Sequence, residues 1–271
     1  MRSHLPLESD AVDTKTVKKA SLDFKGKAYG PVLAILLTAF TFFASQILGA
    51  VLIVLGGSIF GYDGQATLQN IEDSTFTQFV FSVLAATLAM YATWMFVRAR
   101  GLGWCYLGMR KKPKLSDAKI TIGVTIVYFL TLIFVTGIVS QLISSIDVEQ
   151  EQQLGFDGAR TATQLLLVFV SLVVLPPIIE EIMIRGFLYS GLRSKLPKLT
   201  AAIVASILFG IAHLQLGFGA PPLWIAAIDT AILSLFLIYL REKTGSIWAG
   251  MVVHAIKNGL AFTFLFVMGT S

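Results

Sequence analysis

The sequence predicts an all-α fold, a polytopic membrane helical bundle of about seven transmembrane helices, seven or eight in all, with its chemically active residues inside the bundle. Three observations lead there. Hydrophobic residues make up 55% of the chain and charged residues only 14%, against about 25% charged in soluble domains. The apolar residues fall into runs near the ~20-residue length with which a helix crosses hydrocarbon. Lys and Arg collect in alternate connections between those runs, as they do in chains whose loops alternate sides of a membrane.

The runs lie near Pro31–Leu55, Phe76–Val97, Ile120–Ile143, Ala162–Leu192, Leu199–Leu216, Leu223–Leu240 and Ile247–Met268. The fourth is too long for a simple span. Pro176-Pro177 should kink it, because proline removes helix N–H donors and its ring crowds the preceding turn. Trp94, Trp104, Trp224 and Trp248 all fall near run ends, where amphipathic rings anchor at the interface. Residues 1–28 mix acids and bases and have no apolar stretch, so they read as a solvated, mobile tail ahead of one transmembrane domain, 29–271. Gly101–Leu115, basic with Trp104 and Tyr106, reads either as a segment along the interface or as an ordinary connection.

Orientation follows from charge. The tail and the connections carrying Arg98 to Lys119, Arg193 to Lys198, and Arg241 and Lys243 hold nearly all the basic residues. The opposite connections hold Arg160 among Asp63, Glu72, Asp73, Asp147, Glu149, Glu151 and Asp157. The basic side is therefore expected to be cytoplasmic, with the N-terminus on it and, for an odd number of spans, the C-terminus across the membrane. The net charge of +5 is accounted for by this topology, so no nucleic-acid partner is expected. The expected partners are membrane lipid and a peptide or protein substrate. A single cysteine, Cys105, excludes an intrachain disulfide and a CxxC site.

One stretch breaks the apolar pattern. Pro176-Pro177-Ile178-Ile179-Glu180-Glu181-Ile182-Met183-Ile184-Arg185 sets three ionisable groups in six residues after an apolar run. A charge at mid-membrane costs about 2.5–3.5 kcal/mol on insertion scales, so each needs a partner. Glu181 and Arg185, four apart on a helix, share a face and can pair. Glu180 points elsewhere and has no local partner.

Other polar groups in the spans are His213, Asp229, His254, Lys257 and Asn258. Glu180 and His213 are equidistant from the turn at Leu196-Pro197, which sets both roughly 20 Å along their helices. Asn258 lies at similar depth above Gly245, with His254 one turn nearer the basic side. Phe209 and His213, and His254 and Asn258, each share a face at four residues' spacing. Asp229 and Lys257 are equidistant from Lys243, so an antiparallel hairpin sets them level as an ion pair. Taken singly, an intramembrane His or Asn commonly just hydrogen-bonds between helices. Taken together, the set suits amide hydrolysis. A carboxylate takes a proton from water that a neutral imidazole holds, while a second imidazole and an amide donate to the oxyanion. Glu180, His213 and His254 could instead hold zinc, although HExxH is absent.

Glu180-Glu181-Ile-Met-Ile-Arg185, Phe209-Gly-Ile-Ala-His213 and His254-Ala-Ile-Lys-Asn258, in that order, resemble the EExxxR, FxxxH and HxxxN motifs of the type II CAAX prenyl protease and bacteriocin-processing (CPBP, Abi) family. The resemblance covers roughly Leu165–Phe266, and the CPBP-like catalytic core is expected at about 162–268. It implies an intramembrane endopeptidase in which Glu180 and His213 activate water, and His254 and Asn258 form the oxyanion site. Glu181, Arg185 and Phe209 would support them. It implies no cofactor, with zinc as the alternative, and a substrate that is lipidated or membrane-embedded. The expected location is a prokaryotic cytoplasmic membrane. Two other readings compete: a non-catalytic or highly selective bacteriocin-immunity protein of the same fold, and a transporter, since intramembrane ionisable residues also mark ion pathways.

Overall fold

The structure, a computed structural model, describes residues 26–109, 114–150, 152, 154–156, 158–215 and 221–269. The expected tail lies outside it except for its last three residues, as do Arg110, Lys111, Lys112, Glu151 and Asp157. In chain order the described helices are α1 (Pro31–Ile59), α2 (Gly64–Asp73), α3 (Thr75–Ala99), α4 (Leu115–Leu142), α5 (Ala162–Arg193), α6 (Lys198–Ile211), α7 (Trp224–Thr244) and α8 (Trp248–Val267). All but α2 and α6, six helices, are long and apolar enough to cross a membrane. The protein is a multi-pass helical membrane protein.

Side-chain packing follows the logic of hydrocarbon rather than water. The buried face of α1 is Ala34, Thr38, Thr41, Ser45 and Gly49, while Phe40, Phe43 and Ile47 are 61%, 62% and 65% exposed. The opposing face of α3 buries Ala85, Ala89, Thr93 and Val97. Small residues let helix backbones approach, and lipid tails cover the large apolar side chains. The sequence reading contained no helix between the first two spans. The structure has α2 there, started by Asp63, whose Oδ2 accepts from Ala66 N–H at 3.4 Å.

At the basic end the helices are tied by polar contacts. Tyr29 donates to the Phe96 carbonyl at 2.8 Å and Ser194 to the Tyr29 carbonyl at 3.0 Å. Glu242 accepts from Tyr189 at 2.8 Å and pairs with Arg193 at 3.4 Å and Lys198 at 3.5 Å. Of the Gly101–Leu115 segment, the stretch 101–109 is packed onto the bundle. It buries Leu102, Tyr106 and Leu107 in the core at this end, and burial raises the pKa of the Tyr106 hydroxyl. Its Trp104 stacks on Trp94 with ring centroids 4.0 Å apart.

The kink expected in the fourth span is distributed over two wide turns. Pro176 and Pro177 withhold their donors, and α5 adopts i→i+5 geometry over Val170–Val174 and again over Glu181–Leu188. Leu175 N–H bonds to the Val170 carbonyl, and Tyr189 N–H to that of Ile184.

The fifth expected span, Leu199–Leu216, contains a helix shorter than expected. α6 is 14 residues long, about 21 Å at 1.5 Å per residue, against ~30 Å of hydrocarbon, and Leu216 lies outside the described residues. His213 is part of the reason. Its Nδ1–H donates to the Phe209 carbonyl at 2.8 Å, the acceptor its own backbone N–H would use in a continuing helix. The backbone N–H turns to the Gly210 carbonyl at 2.9 Å instead. α6 and α7 pack closely, because a Cβ at Gly210 would stand 2.6 Å from the Ala227 carbonyl oxygen.

Candidate active site

The wide turn that begins at Glu181 aims two adjacent carboxylates at α8. Glu181 lies with its Oε1 2.8 Å from Arg185 Nη1, and both side chains are fully buried. The Arg185 guanidinium sits over the Phe209 ring, 4.4 Å from its centroid. Both a carboxylate and an aromatic face therefore meet that cation, as burying it requires.

Glu180, left without a local partner by its sequence position, faces His254 of α8. His254 Nε2 is 3.6 Å from Glu180 Oε2, and His254 Nδ1 is 3.7 Å from Glu181 Oε1. Each ring nitrogen thus faces a different carboxylate, which fixes the orientation of the imidazole. His254 is 5% exposed and Glu180 28%, so the carboxylate that Arg185 does not neutralise is also the reachable one.

Phe209 links the two histidines. Its ring centroid is 4.8 Å from that of His213 and 6.2 Å from that of His254, both edge-on. Because a carbonyl can only accept, His213 Nδ1 carries hydrogen toward Phe209, and Nε2 of the neutral ring is the nitrogen that can accept, with no hydrogen-bond partner among the described residues. Among the described residues Glu180 and His213 are not hydrogen-bonded to each other. Asn258, one turn beyond His254, donates from Nδ2 to the Leu172 carbonyl at 2.9 Å. Residues 216–220, which follow His213 closely, lie outside the described residues.

Asp229 and Lys257 meet beside this cluster, with Lys257 Nζ 3.2 Å from Asp229 Oδ2. Sequence reasoning missed a third member. Tyr128 of α4, fully buried, donates to Asp229 Oδ1 at 2.5 Å, so the carboxylate ties α4, α7 and α8. Gly250 was missed as well. A Cβ there would lie 2.6 Å from Glu181 Oε2, so the bare backbone one turn before His254 makes room for the carboxylate. A glycine at that offset from an intramembrane histidine was the available signal; for Tyr128 there was none.

Removing either charge of the Asp229–Lys257 pair leaves the other poorly solvated, at up to about 3–5 kcal/mol. Asp229→Ala is expected to cost more than Lys257→Ala, since it also strands the Tyr128 hydroxyl. The double variant should recover much of the Lys257→Ala loss. Thermal unfolding of the four proteins in detergent reads this cycle, and strictly additive losses would show the charges uncoupled.

Facing carboxylate and imidazole groups within a bundle of membrane-length helices define a multi-pass membrane protein with a polar intramembrane site suited to proton transfer. Residues 162–260, a segment that contains Glu180, Phe209, His213, His254 and Asn258, match the family described as "Type II CAAX prenyl endopeptidase Rce1-like". This is the family that the three motifs resemble. The chain is also 25% identical over 217 residues to a Bacillus subtilis (strain 168) protein named "Putative membrane peptidase YdiL", covering 77% of this chain and 78% of that one. That likeness extends well beyond the matched segment, into the helices before α5. No solved structure matches the chain significantly. Both resemblances are to peptidases.

Proposed function

We propose that the protein is an intramembrane endopeptidase of the CAAX-protease type, with Glu180 as the general base. The observation that carries this reading is the division of labour between neighbouring carboxylates. Glu181 is buried against Arg185, while Glu180 is partly exposed and faces His254. Water held between Glu180 and His213 Nε2 loses a proton to Glu180 and attacks the peptide carbonyl. His254 and the second N–H of Asn258 stabilise the oxyanion. Glu180 then passes the proton to the leaving amine.

An apolar groove of about 800 Å³ is lined by α4, α5 and α8, including Phe169, Val173, Pro177, Met251 and Ile256, and by none of the proposed catalytic residues. It supports a substrate that is lipidated or embedded in the membrane. The basic end, with the N-terminus, is assigned to the cytoplasm on its charge. Cleavage of a prenylated or apolar reporter peptide by purified protein tests the reading. It separates a peptidase from the non-catalytic immunity protein and the transporter.

Among the described residues no three His, Cys, Asp or Glu side chains group to hold a metal, which favours the metal-free reading. We therefore expect cleavage to survive exhaustive chelation, and purified protein to carry well under one equivalent of zinc. Stoichiometric zinc whose removal ends activity would overturn this.

A further inference from the structure

Leu172 occupies an unusual position in α5. A helical carbonyl is normally satisfied by an N–H three, four or five residues later. For Leu172 the donors at four and five are Pro176 and Pro177, neither of which has an N–H. The donor at three, Leu175, bonds to Val170. Every helical donor for the Leu172 carbonyl is thus absent or committed, in a part of the bundle where Ser171 and Val173 are buried. An unsatisfied buried carbonyl is costly.

The donor comes from another helix. Asn258 Nδ2 lies 2.9 Å from the Leu172 oxygen across 86 residues of sequence. A second contact marks the same crossing: a Cβ at Gly259 would stand 3.6 Å from Val173 Cγ1, so α8 rests on the wide turn here. We propose that Asn258 is a positioning residue, its amide replacing the N–H that Pro176 and Pro177 cannot supply and latching α8 to the kinked segment that presents Glu180. The latch takes one of the two amide hydrogens and leaves the other directed by it. His254, one turn away on α8, is held against Glu180 by the same contact. The inference extends the peptidase reading, which gives the second hydrogen an oxyanion contact, but it rests on the hydrogen-bond geometry alone.

The test is second-site rescue, read by thermal unfolding of purified protein in detergent and so independent of any activity. Asn258→Ala is expected to lower the unfolding midpoint by roughly 3–8 °C. Pro176→Ala restores an N–H four residues after Leu172. In that background Asn258→Ala should cost less than about a third as much. Equal losses in the two backgrounds would overturn the proposal. If the single Asn258 variant fails to accumulate, accumulation decides. A folded Pro176→Ala/Asn258→Ala protein supports the latch, and one equally absent overturns it. Should Pro176→Ala itself fail to fold, Pro177→Ala, which restores the donor at five, replaces it under the same criteria. A residue that merely filled space would show no dependence on a proline with which it shares only a carbonyl.

Discussion

Peptide hydrolysis by Glu180→Gln is expected to fall by a factor of about 10²–10⁴, the usual contribution of a general base, while the protein inserts, purifies and unfolds much as wild type does. Glutamine keeps the size of the side chain and its contact with His254 but cannot take a proton from water. Glu180 is partly exposed and Arg185 is neutralised by its neighbour, so the substitution strands no buried cation. Loss of activity with stability retained is the signature of a group that touches reacting atoms. Turnover at the wild-type rate would remove Glu180 from the chemistry and with it the proposed mechanism.

Glu181→Ala is expected to have the opposite signature. It leaves the fully buried Arg185 guanidinium without its ion-pair partner, facing the Phe209 ring and the more distant charge of Glu180. Breaking a buried pair from one side typically costs about 3–5 kcal/mol, a large share of the 5–15 kcal/mol that holds a typical protein folded. Low yield and a strongly lowered unfolding midpoint should result. Glu181→Ala/Arg185→Met, which removes both charges and keeps apolar volume, should regain much of that stability. It should not regain full activity, because His254 Nδ1 would have lost the carboxylate 3.7 Å away that orients it. Comparing unfolding midpoint with cleavage rate across the three proteins separates the two roles of Glu181. If Glu181→Ala is as stable as wild type, the buried pair does not contribute to the stability of the fold.

Much of this protein was legible in one dimension. Apolar run length and the distribution of Lys and Arg gave a multi-pass helical membrane protein, because hydrocarbon fixes helix length and backbone pairing so narrowly. Four-residue spacing put Glu181 beside Arg185, and counting from the turn at Lys243 put Asp229 level with Lys257, which the structure shows 3.2 Å apart. Pro176-Pro177 announced a distortion of α5. These inferences concern one helix or one tight hairpin, where the geometry of 1.5 Å and 100° per residue is enough.

Tertiary structure decided what depends on the rotation and tilt of helices far apart in sequence. The group facing Glu180 is His254, the Leu172 carbonyl is met by Asn258, and the partner shared by Asp229 and Lys257 is Tyr128 of α4. Hydrophobic periodicity cannot supply these, because in a bilayer both the lipid face and the packed face of a helix are apolar, and the pattern that orients a helix in water is nearly absent. The length of α6 was misread for a related reason. Its residues stay apolar to Leu216, and the His213 side chain, taking the Phe209 carbonyl from its own backbone, contributes to ending the helix at Ile211. Composition sets how a segment partitions into the membrane; which buried polar group finds which partner is settled by packing, since each unsatisfied donor or acceptor costs free energy until a neighbouring helix meets it.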